Sequence, residues 1–194
     1  GRLMESLAIV GIALAYQGSS RPASGSEHLI SHYFELQGVK NCEPYFPHGI
    51  DVGYASVVSE ILRKRLVNEN PDNFKFDFDK TFWLKEIKRC FGDTASEIEE
   101  LQEKNKTFEI DRSTYIRNHW KEIKEILNQT PGVDFIRSKL RDAGYDINTF
   151  IDTYGMDKIR DAVRYATDIK TRYTLLQLLR DTGHLETYAK ELEL

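Results

Sequence analysis

The chain of 194 residues is poor in most features that would assign it to an extreme class. Its two cysteines, Cys42 and Cys90, are too few for a disulfide scaffold and point to reduced thiols in a cytoplasmic protein. Five prolines and twelve glycines, without a fixed period or a Gly/Ser linker, exclude collagenous and low-complexity chains. Positive charge is not in excess: 27 Lys and Arg stand against 31 Asp and Glu, a net charge of −4. Nucleic acid and anionic membrane are therefore not expected partners, because phosphate binding needs clustered positive charge. No run reaches the roughly 20 apolar residues of a membrane span. The most apolar stretch, residues 3–15, is interrupted by Glu5 and Ser6, and lacks the basic segment and small-residue cleavage site of an export signal. Also missing is a strand–turn–helix with a glycine-rich phosphate loop, so no complete nucleotide-binding unit is encoded here.

The composition that remains is ordinary and globular: 40% hydrophobic, 30% charged, with ten Phe and ten Tyr. Hydrophobic periodicity is helical nearly throughout, which predicts an all-α, multi-helix bundle in one domain over residues 1–194. Residues 3–15, apolar almost all round, predict a helix buried on every side. Chains seldom open on their most buried helix, so a piece of a longer protein is expected. A second helix is expected over 25–37, opened by a Ser24/Glu27 capping box and closed at Gly38. A third is expected over 48–68, burying Val52, Ala55, Val58, Ile61 or Leu62, and Leu66. Residues 70–79, where Phe74, Phe76 and Phe78 alternate with polar residues, read as an extended connector. Further helices are expected over 82–90, 95–104, 113–128, from Pro131 to a stop at Gly144, over 156–166 and over 173–179. Arg160, Asp161, Arg164 and Lys170 read as a solvated face.

Three of the five histidines fall close together. His28 and His32 are four apart on an expected helix, so both rings leave one face. His48 opens the next helix after a connection short enough to fold back. Imidazoles from two neighbouring helices make a divalent-metal set, and they suit zinc, nickel and iron alike. The same spacing also describes two partly buried, hydrogen-bonded side chains. His119 and His184 read as surface or packing residues. The loop before His28 carries Arg21, Ser24 and Ser26 beside a helix N-terminus, where free amides and a guanidinium favour a phosphate or carboxylate. Alternatively, Ser24 caps the helix and Pro22 sets the turn.

The run Ser20-Arg-Pro-Ala-Ser-Gly-Ser-Glu-His28, with Ser31-His32 and His48-Gly-Ile-Asp-Val-Gly53, resembles the glycerol-1-phosphate dehydrogenase family. That family lies within the iron-containing alcohol dehydrogenase and dehydroquinate synthase superfamily. Residues 172–179 resemble the family's ending. The resemblance implies the helical, metal-binding C-terminal domain of such an enzyme, following an N-terminal Rossmann-like NAD(P)-binding domain. It implies His28 and His48 as metal ligands, with a third ligand, an Asp, lying upstream of these residues. It implies a proton-transfer role for His32, and zinc first, nickel or iron next, as the ion. The implied reaction is reversible reduction of dihydroxyacetone phosphate to sn-glycerol 1-phosphate with NAD(P)H, the nicotinamide held mainly by the other domain. No cofactor-binding residue is assigned in this chain. Arg21, Ser24 and Ser26 are candidate contacts to the substrate phosphate. The isolated chain is expected to be inactive and to form homo-oligomers. A lyase half of the dehydroquinate synthase type and a non-catalytic helical interaction module are the alternatives.

Overall fold

The computed structural model describes all 194 residues, the side chain of Pro22 excepted. It is all-helical: among the described residues there is no strand. There are twelve α-helices, four of their connections containing a short 3-10 turn: α1 Arg2–Gln17, α2 Ser26–Asn41, α3 His48–Val67, α4 Lys80–Phe91, α5 Ala95–Lys104 and α6 Ser113–Asn118. They continue as α7 Trp120–Leu127, α8 Val133–Asp142, α9 Ile147–Tyr154, α10 Met156–Tyr165, α11 Leu175–Asp181 and α12 Leu185–Lys190. No helix is long and apolar enough to cross a membrane.

The long pair α2 and α3 forms the centre of the bundle. Leu29, Ile30, Tyr33 and Phe34 of α2 face Ala55, Val58, Leu62 and Leu66 of α3, all buried. This is the expected α3 stripe, with Tyr54 and Val57 added and Val52 only half-buried. An aromatic layer closes one end: Phe34 stacks on Tyr154 at 3.9 Å between ring centroids, and Tyr54 on Phe150 at 5.1 Å. Of the expected 70–79 connector only residues 74–79 are extended, because Pro71–Asn73 form a 3-10 turn opened by the Asn70 side chain. Phe74 is buried, and Phe78 lies on Phe108 at 3.9 Å.

Several sequence expectations are corrected. α1 is exposed rather than buried: none of its residues is buried, and Leu3 and Met4 are 73% and 68% accessible. Apolar composition removes a helix from water only where other segments meet it. Its chief neighbour here is the 3-10 turn at Arg21–Ala23. α2 does not stop at Gly38 but runs through it to Asn41, ending on Cys42 in the left-handed region at φ 54°. Its N-cap is Gly25 rather than Ser24, and the Gly25 N–H donates to Glu27 Oε1 at 2.9 Å. Only the acidic half of the expected capping box therefore operates. The 113–128 helix is broken at His119, whose backbone leaves the helical region and caps α7. α9 and α12, eight and six residues long, are helices that the periodicity does not predict. The charges on α10 form ion pairs at the surface: Asp161 accepts from Arg89 at 2.8 Å, and Arg164 donates to Glu186 at 2.9 Å.

Candidate metal centre

The connection from α2 to α3 determines where His48 stands. It doubles back along α2, with Tyr45 lying against Gly38 where a Cβ would overlap its ring. The Glu43 N–H donates to the Gly38 carbonyl at 3.0 Å, fixing the reversal. Pro47 then caps α3, and His48 becomes its first residue. On α2, residues 28, 32 and 35 share one face at i, i+4, i+7 spacing, opposite the buried Leu29, Ile30 and Tyr33.

The three expected histidines come together. The His48 ring centroid is 5.3 Å from that of His28 and 5.0 Å from that of His32. All three rings are half-buried. Each has its Nδ1 against a carboxylate. His28 Nδ1 is 2.9 Å from Glu27 Oε1, His32 Nδ1 2.9 Å from Glu35 Oε2, and His48 Nδ1 2.8 Å from Glu35 Oε1. Ser31, fully buried, has its Oγ 3.0 Å from the same His48 nitrogen and donates to the His48 carbonyl at 3.4 Å. One donor atom from each of His32, Glu35 and His48 lies within 4.8 Å of the others. Burial works against ionisation of Glu35, but hydrogen bonds from His32 and His48, and their charge, hold its carboxyl below the usual range.

Glu35 and Asp51 are not among the residues that sequence reasoning singles out, and Glu27 enters it only as half of a capping box. The one signal for Glu35 is its place three residues beyond His32, on the same helix face. Asp51, fully buried in the first turn of α3, accepts from Tyr154 Oη at 2.9 Å on both oxygens. The Phe46 N–H donates to that phenol at 3.0 Å, tying the connection to α9. Burial pushes the Asp51 carboxyl up to about 7, with the Tyr154 hydrogen bond pulling the other way and the Glu35 charge adding to the rise.

The loop candidates are placed differently. Arg21, Ser24 and Ser26 line a cavity of about 420 Å³ with Glu27, Arg63, Tyr173 and Thr174; none of the three histidines lines it. Ser26 Oγ is buried and accepts the Leu176 N–H at 3.1 Å, while Arg172 donates to Ser20 Oγ at 3.3 Å. The loop and the 172–179 segment are thereby held side by side. Ser59 Oγ and Thr174 Oγ1, buried in the cavity wall, have no hydrogen-bond partner among the described residues. His119 and His184 have packing roles: His119 stacks on Tyr115 at 4.1 Å, and His184 lies edge-on to Phe74 at 5.5 Å. Cys42 and Cys90 are free thiols, one exposed and one buried.

Imidazole nitrogens gathered on one face, with carboxylates behind them, are a donor set that fits zinc, nickel or iron. Among the described residues there is no strand, so the βαβ unit of a dinucleotide-binding fold is not among them.

No protein-family model matches the chain, and neither does any solved structure. Curated proteins do. The chain is 38% identical to glycerol-1-phosphate dehydrogenase (NAD(P)+) of Bacillus subtilis over 68 residues, 35% of this chain and 17% of that protein. It is 42% identical to the Bacillus velezensis enzyme of that name over 64 residues, 33% of this chain and 16% of the relative. With that of the archaeon Natronomonas pharaonis it shares 43% over 60 residues, again 16% of the relative's length. Each match spans less than a fifth of the relative concerned. Over about a third of its length, this all-helical chain is thus similar to the NAD(P)-dependent glycerol-1-phosphate dehydrogenases of bacteria and archaea.

Proposed function

We propose that these residues are the metal- and substrate-binding part of an sn-glycerol-1-phosphate dehydrogenase, which reversibly reduces dihydroxyacetone phosphate with NAD(P)H. The observation that carries this reading is the convergence of His28, His32 and His48 from two helices, in a chain similar to enzymes of that name. His28 and His48 would hold a divalent ion, zinc before nickel or iron, with a third protein ligand from outside these residues. Three protein ligands and one open position are the usual catalytic arrangement. When bound, such an ion supplies Lewis-acid polarisation of the substrate carbonyl.

His32 takes the proton-transfer role at the substrate oxygen, its ring steadied through Nδ1 by Glu35. Arg21 and Ser24 present donors to the substrate phosphate at the mouth of the cavity beside Glu27. Ser26 belongs to that group by position, though its hydroxyl oxygen already accepts from Leu176. The dinucleotide is assigned to a separate nucleotide-binding domain, and the 194 residues alone are expected to be inactive.

Zinc titration calorimetry on the chain tests the metal. The joint variant His28→Ala/His48→Ala is expected to lose the binding heat of the wild type, and an unchanged isotherm would overturn the assignment. The reaction is tested on the protein that carries these residues together with a nucleotide-binding domain. Oxidation of NAD(P)H dependent on dihydroxyacetone phosphate supports the dehydrogenase; its absence would overturn that reading in favour of the lyase or the non-catalytic module.

A further inference from the structure

We infer that Glu35 is the positioning residue of this centre: one carboxylate fixes the tautomer and orientation of both His32 and His48, reserving their Nε2 atoms for ion and substrate. The purpose of this arrangement rests on the metal reading above, whereas the hydrogen bonding itself is present without an ion.

The carboxylate divides its two oxygens between the two rings, Oε2 to His32 Nδ1 at 2.9 Å and Oε1 to His48 Nδ1 at 2.8 Å. An ionised carboxylate only accepts, so each Nδ1 must carry the hydrogen. A neutral imidazole has a single N–H, which leaves the lone pair on Nε2. Among the described residues no hydrogen bond engages Nε2 of His28, His32 or His48, while all three Nδ1 atoms face a carboxylate. Metal-bound histidines commonly donate their other ring N–H to a carboxylate, which sets the ring and raises its basicity.

Sharing is what distinguishes Glu35 from Glu27. Glu27 serves His28 alone, and its Oε1 also accepts the Gly25 N–H that opens α2. Glu35 joins the proposed ligand His48 to the proposed proton carrier His32, so turning one ring releases its partner's anchor. The competing arrangement makes Glu35 itself a ligand with the two Nδ1 atoms, whose donor atoms are close enough to meet one ion. That would put the hydrogens on Nε2, the opposite tautomer.

The nitrogen bound to zinc separates the two arrangements, and nitrogen NMR on the histidine-labelled chain, above the ordinary histidine pKa of about 6.5, reads it with zinc and reads the tautomers without metal. His32 and His48 are expected to be protonated at Nδ1 in the wild type. Glu35→Gln is expected to move the proton toward Nε2 on one or both rings and to weaken zinc binding about 10- to 100-fold. Protonation at Nε2 in the wild type, Nδ1 as the zinc-bound nitrogen, or a Glu35→Gln variant with unchanged tautomers and affinity would each overturn the inference. The wild-type measurement needs no variant to fold. A chain that holds zinc only once the third ligand is supplied leaves the metal reading standing, and the tautomers read without metal still decide this one.

Discussion

Asp51 has no cation beside it among the described residues, and its side-chain partner is the Tyr154 phenol. A fully buried carboxylate with one neutral donor is held more easily with its proton than without. Its folded value of about 7 lies above the unfolded value near 3.9, so between the two the folded state binds more protons. Stability from this group is therefore greatest at low pH and falls as pH rises through the window, by at most about 1.4 kcal/mol per pH unit. Asp51→Asn keeps an acceptor for Tyr154 and cannot ionise. Urea unfolding at several pH values from about 5 to about 7 is expected to show a wild-type loss that the variant lacks, and parallel profiles would refute the assignment. Residues of this kind are hidden in a sequence for a physical reason. Histidines are rare, so two at helical spacing with a third at the start of the next helix stand out, whereas Glu35 and Asp51 are two of 31 acidic residues. On a sequence, a carboxylate that orients a ring is indistinguishable from one that solvates a helix.

At the scale of elements, the site depends on a glycine inside a helix. Alanine in place of Gly38 would gain about 1 kcal/mol in helix propensity. The added Cβ, however, would overlap the Tyr45 ring and come within 3.0 Å of the Glu43 carbonyl oxygen. Overpacking of that sort costs roughly 1–3 kcal/mol. We expect Gly38→Ala to lower stability by about 1 kcal/mol net, and to displace the connection that delivers His48. Thermal unfolding together with zinc affinity checks this, and a more stable variant with unimpaired binding would refute it. In sequence Gly38 reads as a helix stop, because glycine more often ends helices than lets a loop lie against one. The longer elements were legible where period and length agreed: α3 within a residue of its expected end, α5 at both ends, and residues 74–79 of the expected 70–79 connector. α9 and α12 were not, since two turns or fewer carry too little period, and their helicity comes from packing Phe150, Tyr154, Leu185 and Tyr188 into the core.

At the scale of the whole molecule, one face is left uncovered. α1 is 16 residues, about 24 Å of helix, with Leu3, Leu7 and Val10 on one side at i, i+4, i+7 spacing, all exposed. Its apolar composition is legible in sequence and its neighbours are not, because burial belongs to a pair of surfaces and only one is encoded in the apolar run. Exposed apolar area of this extent favours association, and the partner always available in a pure solution is a second copy of the chain. We expect the wild type to show a mass that rises with concentration in light scattering. Leu7→Glu/Val10→Glu places two like charges on the apolar side and is expected to return the chain to monomer, with the helical content of the bundle retained. No buried core residue lies on α1, so the variant leaves α2, α3 and the histidines unstrained and zinc affinity unchanged. A wild-type chain that stays monomeric at every concentration would show that α1 is tolerated in water as it stands. Association that survives the double substitution would instead place the contact elsewhere, the Gly18–Ser26 loop being the next surface to test.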